Sequence, residues 1–266
     1  MKRTILIGII LTLAYSFLFA AETTNAPWQV SANVRGGTAI YKEKAANLKS
    51  TYKTIYPELV LDALRRFENN WEIMGNFGFG YSLTDTETWY VSSSKYQTND
   101  LDFFRINAKG AVGKVFSFGK EQDLELTPFL GYGFRMIDFQ RSNFNVLSTV
   151  TSRDIVTEKY YIQHADAGLK IEKKFGEKFS IMAQGAYEYV FYNMADNDSL
   201  GRVNGDGKYI AEGQINLVYA LNKSWQLMVG GFGEFQDLKG GTKDNIVWPD
   251  NKMYIYGGQI GARYNF

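Results

Sequence analysis

The chain has 266 residues, 45% of them apolar and 21% charged, with 26 Gly, 4 Pro, no Cys and a formal net charge of +1. The absence of Cys excludes a disulfide framework and a lipid-bearing thiol, and the balanced charge argues against nucleic acid as a partner. A mean hydropathy of −0.26, with no apolar run of roughly 18 residues after the N-terminal segment, excludes a mature bundle of transmembrane helices.

At the N-terminus, Lys2 and Arg3 precede the apolar run Ile5 to Phe19, which ends in the small residues Ala20 and Ala21. This is the three-part layout of a secretory signal, so residues 1–20 read as a signal peptide and 21–266 as one mature domain. Loss of Lys2 and Arg3 leaves 27 basic against 28 acidic residues, a net charge of −1. The chain is expected to be exported without a helical anchor.

Beyond the signal, apolar residues recur with period two rather than 3.6, the mark of strands with one apolar and one polar face. Trp71, Ile73, Phe77, Phe79 and Tyr81 alternate with Glu72, Asn76 and Ser82; Phe179, Ile181, Tyr187 and Phe191 alternate with Ser180, Gln184 and Glu188. Ten such segments follow in order: 28–41, 55–67, 71–84, 101–117, 123–139, 157–174, 178–193, 208–220, 224–237 and 253–266. The connections alternate. Residues 42–54, 85–100, 140–156, 194–207 and 238–252 are long, whereas 68–70, 118–122, 175–177 and 221–223 are short.

Tight turns at one end and long loops at the other, with an even strand count, predict a transmembrane antiparallel up-and-down β-barrel of about ten strands. Roughly ten residues at ~3.3 Å rise and about 40° tilt cover the ~25 Å lipid-facing band, so the longer segments should project beyond the membrane on the outer side. Aromatic residues mark both interfaces. Trp28, Trp71, Phe179, Tyr219, Trp225, Tyr264 and Phe266 fall at the periplasmic ends, and Tyr41, Tyr81, Phe104, Tyr161, Phe191, Tyr209, Phe235 and Tyr254 at the outer ends. A soluble sandwich or lipocalin-like barrel would have no use for two such belts.

The last strand carries a motif. Gln259, Gly261, Tyr264 and Phe266 resemble, position by position, the β-signal of bacterial outer-membrane barrels: a polar residue, then Gly, an apolar residue and a terminal aromatic. The resemblance implies recognition by the barrel-assembly machinery during biogenesis and a place in the outer membrane of a Gram-negative bacterium. In size and strand count the chain also resembles the small opacity-type and adhesin-type barrels and the ten-stranded omptin proteases.

With the apolar parity facing lipid, the inward residues include Arg35, Asp62, Arg66, Glu72, Arg105, Lys109, Glu125, Arg135, Asp166, Lys170, Glu172, Glu188, Glu212, Glu234 and Arg263. Seven are basic and eight acidic, so a lumenal polar network that pairs charges across a narrow interior is expected rather than an ion-selective ring. Its central members are Arg35, Glu72, Arg105, Lys109, Arg135, His164, Asp166, Glu188, Glu212 and Arg263. Gly-aromatic-Gly recurs at 78–80, 131–133 and 231–233; inside strands these glycines make room for bulky neighbours and are not phosphate loops. At 231–233 the parity puts Phe232 in the lumen, a conflict that a bulge near Gly230 would relieve.

The single His tests for catalysis. His164 precedes Asp166 on one strand, and Asp100 and Asp102 form a second pair near the outer end of another. The omptin resemblance implies an Asp pair facing an Asp-His pair at the outer rim; here the order is His then Asp, several residues below the rim. No Ser stands beside His164 as a nucleophile. Residues 194–207, with Asp196, Asp198 and Asp206, lack the closing acidic residue of a Ca²⁺ loop. The expected role is therefore structural or surface-interacting, adhesin- or antigen-like, without cofactor, metal or enzymatic activity. A narrow porin-like passive channel and an omptin-like surface protease are the alternatives. The implied partners are outer-membrane lipid and lipopolysaccharide, and an extracellular ligand met through the loops.

Overall fold

The computed structural model describes residues 28–266 except 120, 122, 148, 149, 244 and 245; the signal segment 1–20 lies outside the described residues. In chain order the strands are β1 (Trp28–Ala45), β2 (Leu48–Arg66), β3 (Trp71–Tyr81), β4 (Asp85–Val91), β5 (Ser94–Lys114), β6 (Phe116–Phe118), β7 (Leu124–Val146), β8 (Val150–Ser152), β9 (Val156–Phe175), β10 (Phe179–Asn197), β11 (Gly201–Gly205), β12 (Tyr209–Ala220), β13 (Trp225–Leu238), β14 (Thr242–Lys243), β15 (Ile246–Val247) and β16 (Asp250–Asn265). Ten of them build the wall. The strands β1, β2, β3, β5, β7, β9, β10, β12, β13 and β16 pair antiparallel in that order, and the ladder from Gln29↔Asn265 to Lys44↔Asp250 joins β1 to β16 and closes the ring. Closure leaves no edge strand in the wall, the condition for a sheet to stand in lipid.

The period-two pattern explains which face is which. Val34, Ile55, Leu130, Ile215, Val229 and Ile260 are each more than half exposed on the outer surface, whereas their sequence neighbours Asn33, Thr54, Phe129, Asn216, Met228 and Gln259 are buried in the lumen. Aromatic pairs ring the lower wall, with Phe179 5.0 Å from Tyr219 and Trp225 4.9 Å from Tyr264. A second belt higher up includes Phe79 with Phe104 at 4.9 Å and Phe235 with Tyr254 at 4.8 Å. Tyr41 is not in it. It is 1% exposed and points inward onto Phe139, 4.6 Å away, because the inward parity set by Asn33 and Arg35 carries through to residue 41.

The long connections are mostly wall. Residues 42–54, expected as a loop, extend β1 and β2 to a tight turn at Ala46 and Asn47, with Ala46 at φ 47°. In the same way β4 with β5, β8 with β7 and β11 with β10 form hairpins that rise above the lipid band. Above the membrane a strand no longer needs an apolar outer face, so the alternation that marks the lower wall fades there while the ladder continues. No bulge near Gly230 relieves the parity conflict: β13 keeps register with β12 from Gln226 to Asp237 and with β16 from Trp225 to Leu238. Phe232 does face the lumen, where the Arg35 guanidinium lies 4.9 Å over its ring. Inward glycines elsewhere make room. A Cβ on Gly80 would stand 1.8 Å from the Tyr56 hydroxyl, and one on Gly133 2.2 Å from the His164 ring.

Candidate functional site

The lumen is filled in layers, each built by inward residues at one height of the wall. The lowest is a polar vestibule of about 280 Å³, lined from Gln29, Arg66 and Arg263 near the periplasmic ends up to Arg105 and Glu234. Charges pair along its side: Lys170 meets Glu72 at 2.6 Å, and Arg66 bridges Glu72 and Glu125 at 2.6 and 2.7 Å. Asp62 is held differently, by the neutral donors Ser31, Asn33 and Asn76 at 3.0, 3.2 and 2.7 Å.

Above the vestibule an ionic lattice crosses the barrel. Glu58 accepts from Arg35 (3.4 Å) and Arg105 (2.7 Å), while Glu234 on the far wall accepts from Arg105 and Arg135, both at 2.7 Å. Lys109 joins Glu212 at 2.6 Å and also meets Glu188, which lies 3.5 Å from Arg135. Buried charges cost several kcal/mol each to desolvate, and a lattice in which each charge meets an opposite one offsets that cost. The predicted members Arg35, Glu72, Arg105, Lys109, Arg135, His164, Asp166, Glu188, Glu212 and Arg263 all stand on the inner face. Arg35, Arg105, Lys109, Arg135, Glu188 and Glu212 lie within the lattice; Glu72 and Arg263 sit lower, Arg263 donating to Gln226 and Met182 Sδ.

His164 is fully buried beside Asp166, with Nδ1 3.5 Å from Glu188. His164, Asp166 and Glu188 present ligand atoms within 4.8 Å of one another, a geometry that could hold a metal ion. The charges around it oppose that use, because Lys109 and Arg135 already occupy Glu188, and a divalent ion would add charge beside two cations. The second acidic pair does not meet the first. Asp102 points outward and accepts from Thr84 Oγ1 at 3.2 Å, and Asp100 accepts from Asn143 at 2.6 Å. His164 is level with Gly133, and Gly133 with Lys109, so Asp102 lies seven residues higher on β5 and on the opposite face of the wall.

Over the lattice sits an apolar layer. Tyr56 and Phe103 stack at 5.3 Å, Phe139 meets Phe103 at 5.5 Å and Tyr160 at 5.8 Å, and the Trp248 indole donates to the Tyr160 hydroxyl at 2.9 Å. Sequence reasoning missed this layer because the inward set it drew up held only polar and charged residues. The signal was present in the unbroken inward parity Phe139, Ile137, Arg135 and Tyr160, Ile162, His164.

At the outer mouth, above Ile40 and the lipid band, Arg141 on β7 gathers three carboxylates: Glu43 of β1 at 3.1 Å, Glu87 of β4 at 2.8 Å and Glu158 of β9 at 2.7 Å. All four side chains are buried. Glu43, Glu87 and Arg141 fall in segments expected to be loops, which is why they were not anticipated. Burial raises the Glu43 carboxyl from its ordinary 4.5, the Glu158 and Glu87 charges raise it further, and Arg141 only partly opposes them, leaving it at about 8. Burial acts on Glu87 too, but there Arg141's charge and hydrogen bond, with the Asn99 amide, outweigh it and hold the group below its ordinary value.

Folding therefore favours protonated Glu43. That contribution is complete below about pH 4.5 and is lost as pH rises through about 8. The midpoint temperature of the barrel should fall between about pH 5 and about pH 9, and Glu43→Gln should flatten the slope; the same slope in both proteins would remove Glu43 as its source.

A closed antiparallel barrel of ten strands, apolar outside, aromatic at two heights and charge-paired within, has the architecture of a bacterial outer-membrane β-barrel. Among solved structures, the chain is similar to the outer membrane protease OmpT from Escherichia coli at 10% identity and TM-score 0.70, over 92% of this chain and 98% of that one. It also matches Neisserial surface protein A at 13% identity and TM-score 0.31, over 90% and 97%, and Ail, the attachment invasion locus protein of Yersinia pestis, at 14% and 0.31, over 90% and 98%. At 10% identity the likeness to OmpT is one of fold. No protein-family model matches the chain, and no curated protein sequence matches it.

Proposed function

We propose that the protein is an integral outer-membrane barrel with a closed lumen, whose working surface is the set of hairpins projecting above the membrane, in a structural or surface-interaction role. The observation that carries this reading is the stack of ionic lattice, aromatic layer and Arg141 cluster across the lumen. A passive channel needs a continuous wet path, and Arg105 and Arg135, both bound to Glu234, cross the path at mid-height. A protease of the omptin kind needs its two acidic pairs to converge on one cleft, and Asp100, Asp102, His164 and Asp166 do not. Gln259 and Gly261 face the lumen while Tyr264 and Phe266 stack at 4.7 Å on the outer face of the last strand, an arrangement that supports its use as an assembly signal.

Refolded protein in a planar bilayer is expected to show no steady unit conductance. Reproducible ohmic steps from pure protein would overturn the closed-lumen reading, and peptide cleavage abolished by His164→Ala would replace it with the protease.

A further inference from the structure

The outer surface of the wall is not evenly charged. On three adjacent strands, β16, β1 and β2, the outward positions just above the lipid-facing residues are Lys252, Lys42, Lys44, Lys49 and Lys53, all exposed. Lys42 stands directly opposite Lys252, and Lys44 directly opposite Lys49; Lys53, opposite Ile40, is diagonal to Lys42. Opposed side chains in an antiparallel pair lie about 5 Å apart, and like charges so placed repel.

Few of these charges are answered by the protein. Among the described residues, Lys42, Lys44, Lys49 and Lys53 have no carboxylate within ion-pair distance, and Lys252 reaches only Asp237, at 3.5 Å, which also holds Lys208 at 2.8 Å. Asp250, the ladder partner of Lys44, is engaged by Lys239 and the Gly240 amide. On the far wall at this height the outward charges are mixed, with Asp102 and Asp138 beside Lys159, which stands opposite Asp138 at 3.9 Å. The lysines thus form a one-sided patch.

Height names the occupant. Below the patch the same outer face is apolar and exposed, with Val34 at 59%, Ile55 at 62% and Ile260 at 65%. The aromatic belt lies between, Lys42 Nζ resting 5.8 Å over the Tyr254 ring and Lys252 Nζ 6.0 Å over Phe235. Lysines that rise from an aromatic belt lie at headgroup level. What stands laterally beside them there is a lipid headgroup, and the chemistry that satisfies opposed ammonium groups is a phosphate bridging them.

We propose that the lysine patch of β16, β1 and β2 is a binding site for the phosphate groups of an outer-leaflet lipid headgroup, centred on Lys42, Lys53 and Lys252. The inference rests on the outer-membrane reading above.

The test uses the full mature barrel refolded in neutral detergent, with diphosphorylated lipid A as probe and lipid retained per barrel read by native mass spectrometry. Wild type should retain the probe. The triple variant Lys42→Gln, Lys53→Gln, Lys252→Gln should lose retention at least about tenfold, the corresponding triple Arg variant should keep it, and Lys178→Gln, at a turn on the opposite end, should not change it. Dephosphorylated lipid A should be retained poorly, and inorganic phosphate should compete only weakly. Undiminished retention by the Gln variant, equal retention of the dephosphorylated lipid, or equal capture of a soluble polyanion such as a heparin fragment would each overturn the site. Failure of wild type to insert into liposomes is a separate result and would overturn the outer-membrane reading instead.

Discussion

Replacing Arg141 by Met is expected to lower the stability of the outer half of the barrel by about 3–5 kcal/mol, the cost of leaving buried charge without its partner. Arg141 is the one cation within ion-pair distance of Glu43, Glu87 and Glu158 among the described residues, and these come from β1, β4 and β9, so the guanidinium ties separate arcs of the mouth together. The loss should be local. Hydrogen exchange should rise in β4 and in the projecting parts of β1 and β9, while the ladder between β12 and β13 keeps its protection. Combining Arg141→Met with Glu87→Gln and Glu158→Gln should recover part of the stability, because the penalty belongs to the unpaired carboxylates. A melting midpoint that matches wild type in the single variant would show that the cluster contributes nothing net.

Gly133→Val is the second large effect. A Cβ at this position would lie 2.2 Å from His164 Cε1 and 2.5 Å from Nε2, and the ring cannot swing away because it is fully buried and Asp166 and Glu188 hold Nδ1. Overpacking of this kind costs roughly 1–3 kcal/mol, more where the neighbours are fixed. The folded, heat-modifiable fraction after refolding should drop sharply. His164→Ala in the same chain should return much of it, a coupling that marks steric conflict rather than loss of a glycine's backbone freedom. If the double variant folds no better than the single one, the close approach of Gly133 and His164 is not what the glycine serves.

The lower wall was legible because lipid imposes a rule on each strand there: the outward residue is apolar, its neighbour is not, and the short turns keep the phase. Val34 against Arg35 and Ile215 against Gln214 carry that rule in plain alternation. Above the membrane the rule lapses. In residues 42–54 the outward positions are Lys42, Lys44, Lys49, Thr51 and Lys53 while the inward ones include Glu43, Ser50, Tyr52 and Thr54, so the contrast disappears although pairing continues to the turn. The same lapse hid Glu43, Glu87 and Arg141 from the inward set.

Tyr41 shows the converse, an aromatic residue assigned outward by chemical type that parity places within, and Phe232 lies in the lumen as its parity required. Their positions follow from partners across the lumen, Arg35 over Phe232 and Phe139 beside Tyr41.

By itself, the order of residues determined an all-β chain, its ten wall strands, the face each strand turns to lipid and the charge balance of the interior, because these depend on local period and on which side meets hydrocarbon. Only the tertiary structure decided which inward charges meet, that an aromatic layer lies over them, that Arg141 draws together Glu43, Glu87 and Glu158, and that lysines from β16, β1 and β2 share one outer patch. Those contacts join strands more than two hundred residues apart in sequence, as Arg35 and Gln259 are. Their pairing depends on the register and closure of the ring, which no period along one strand contains.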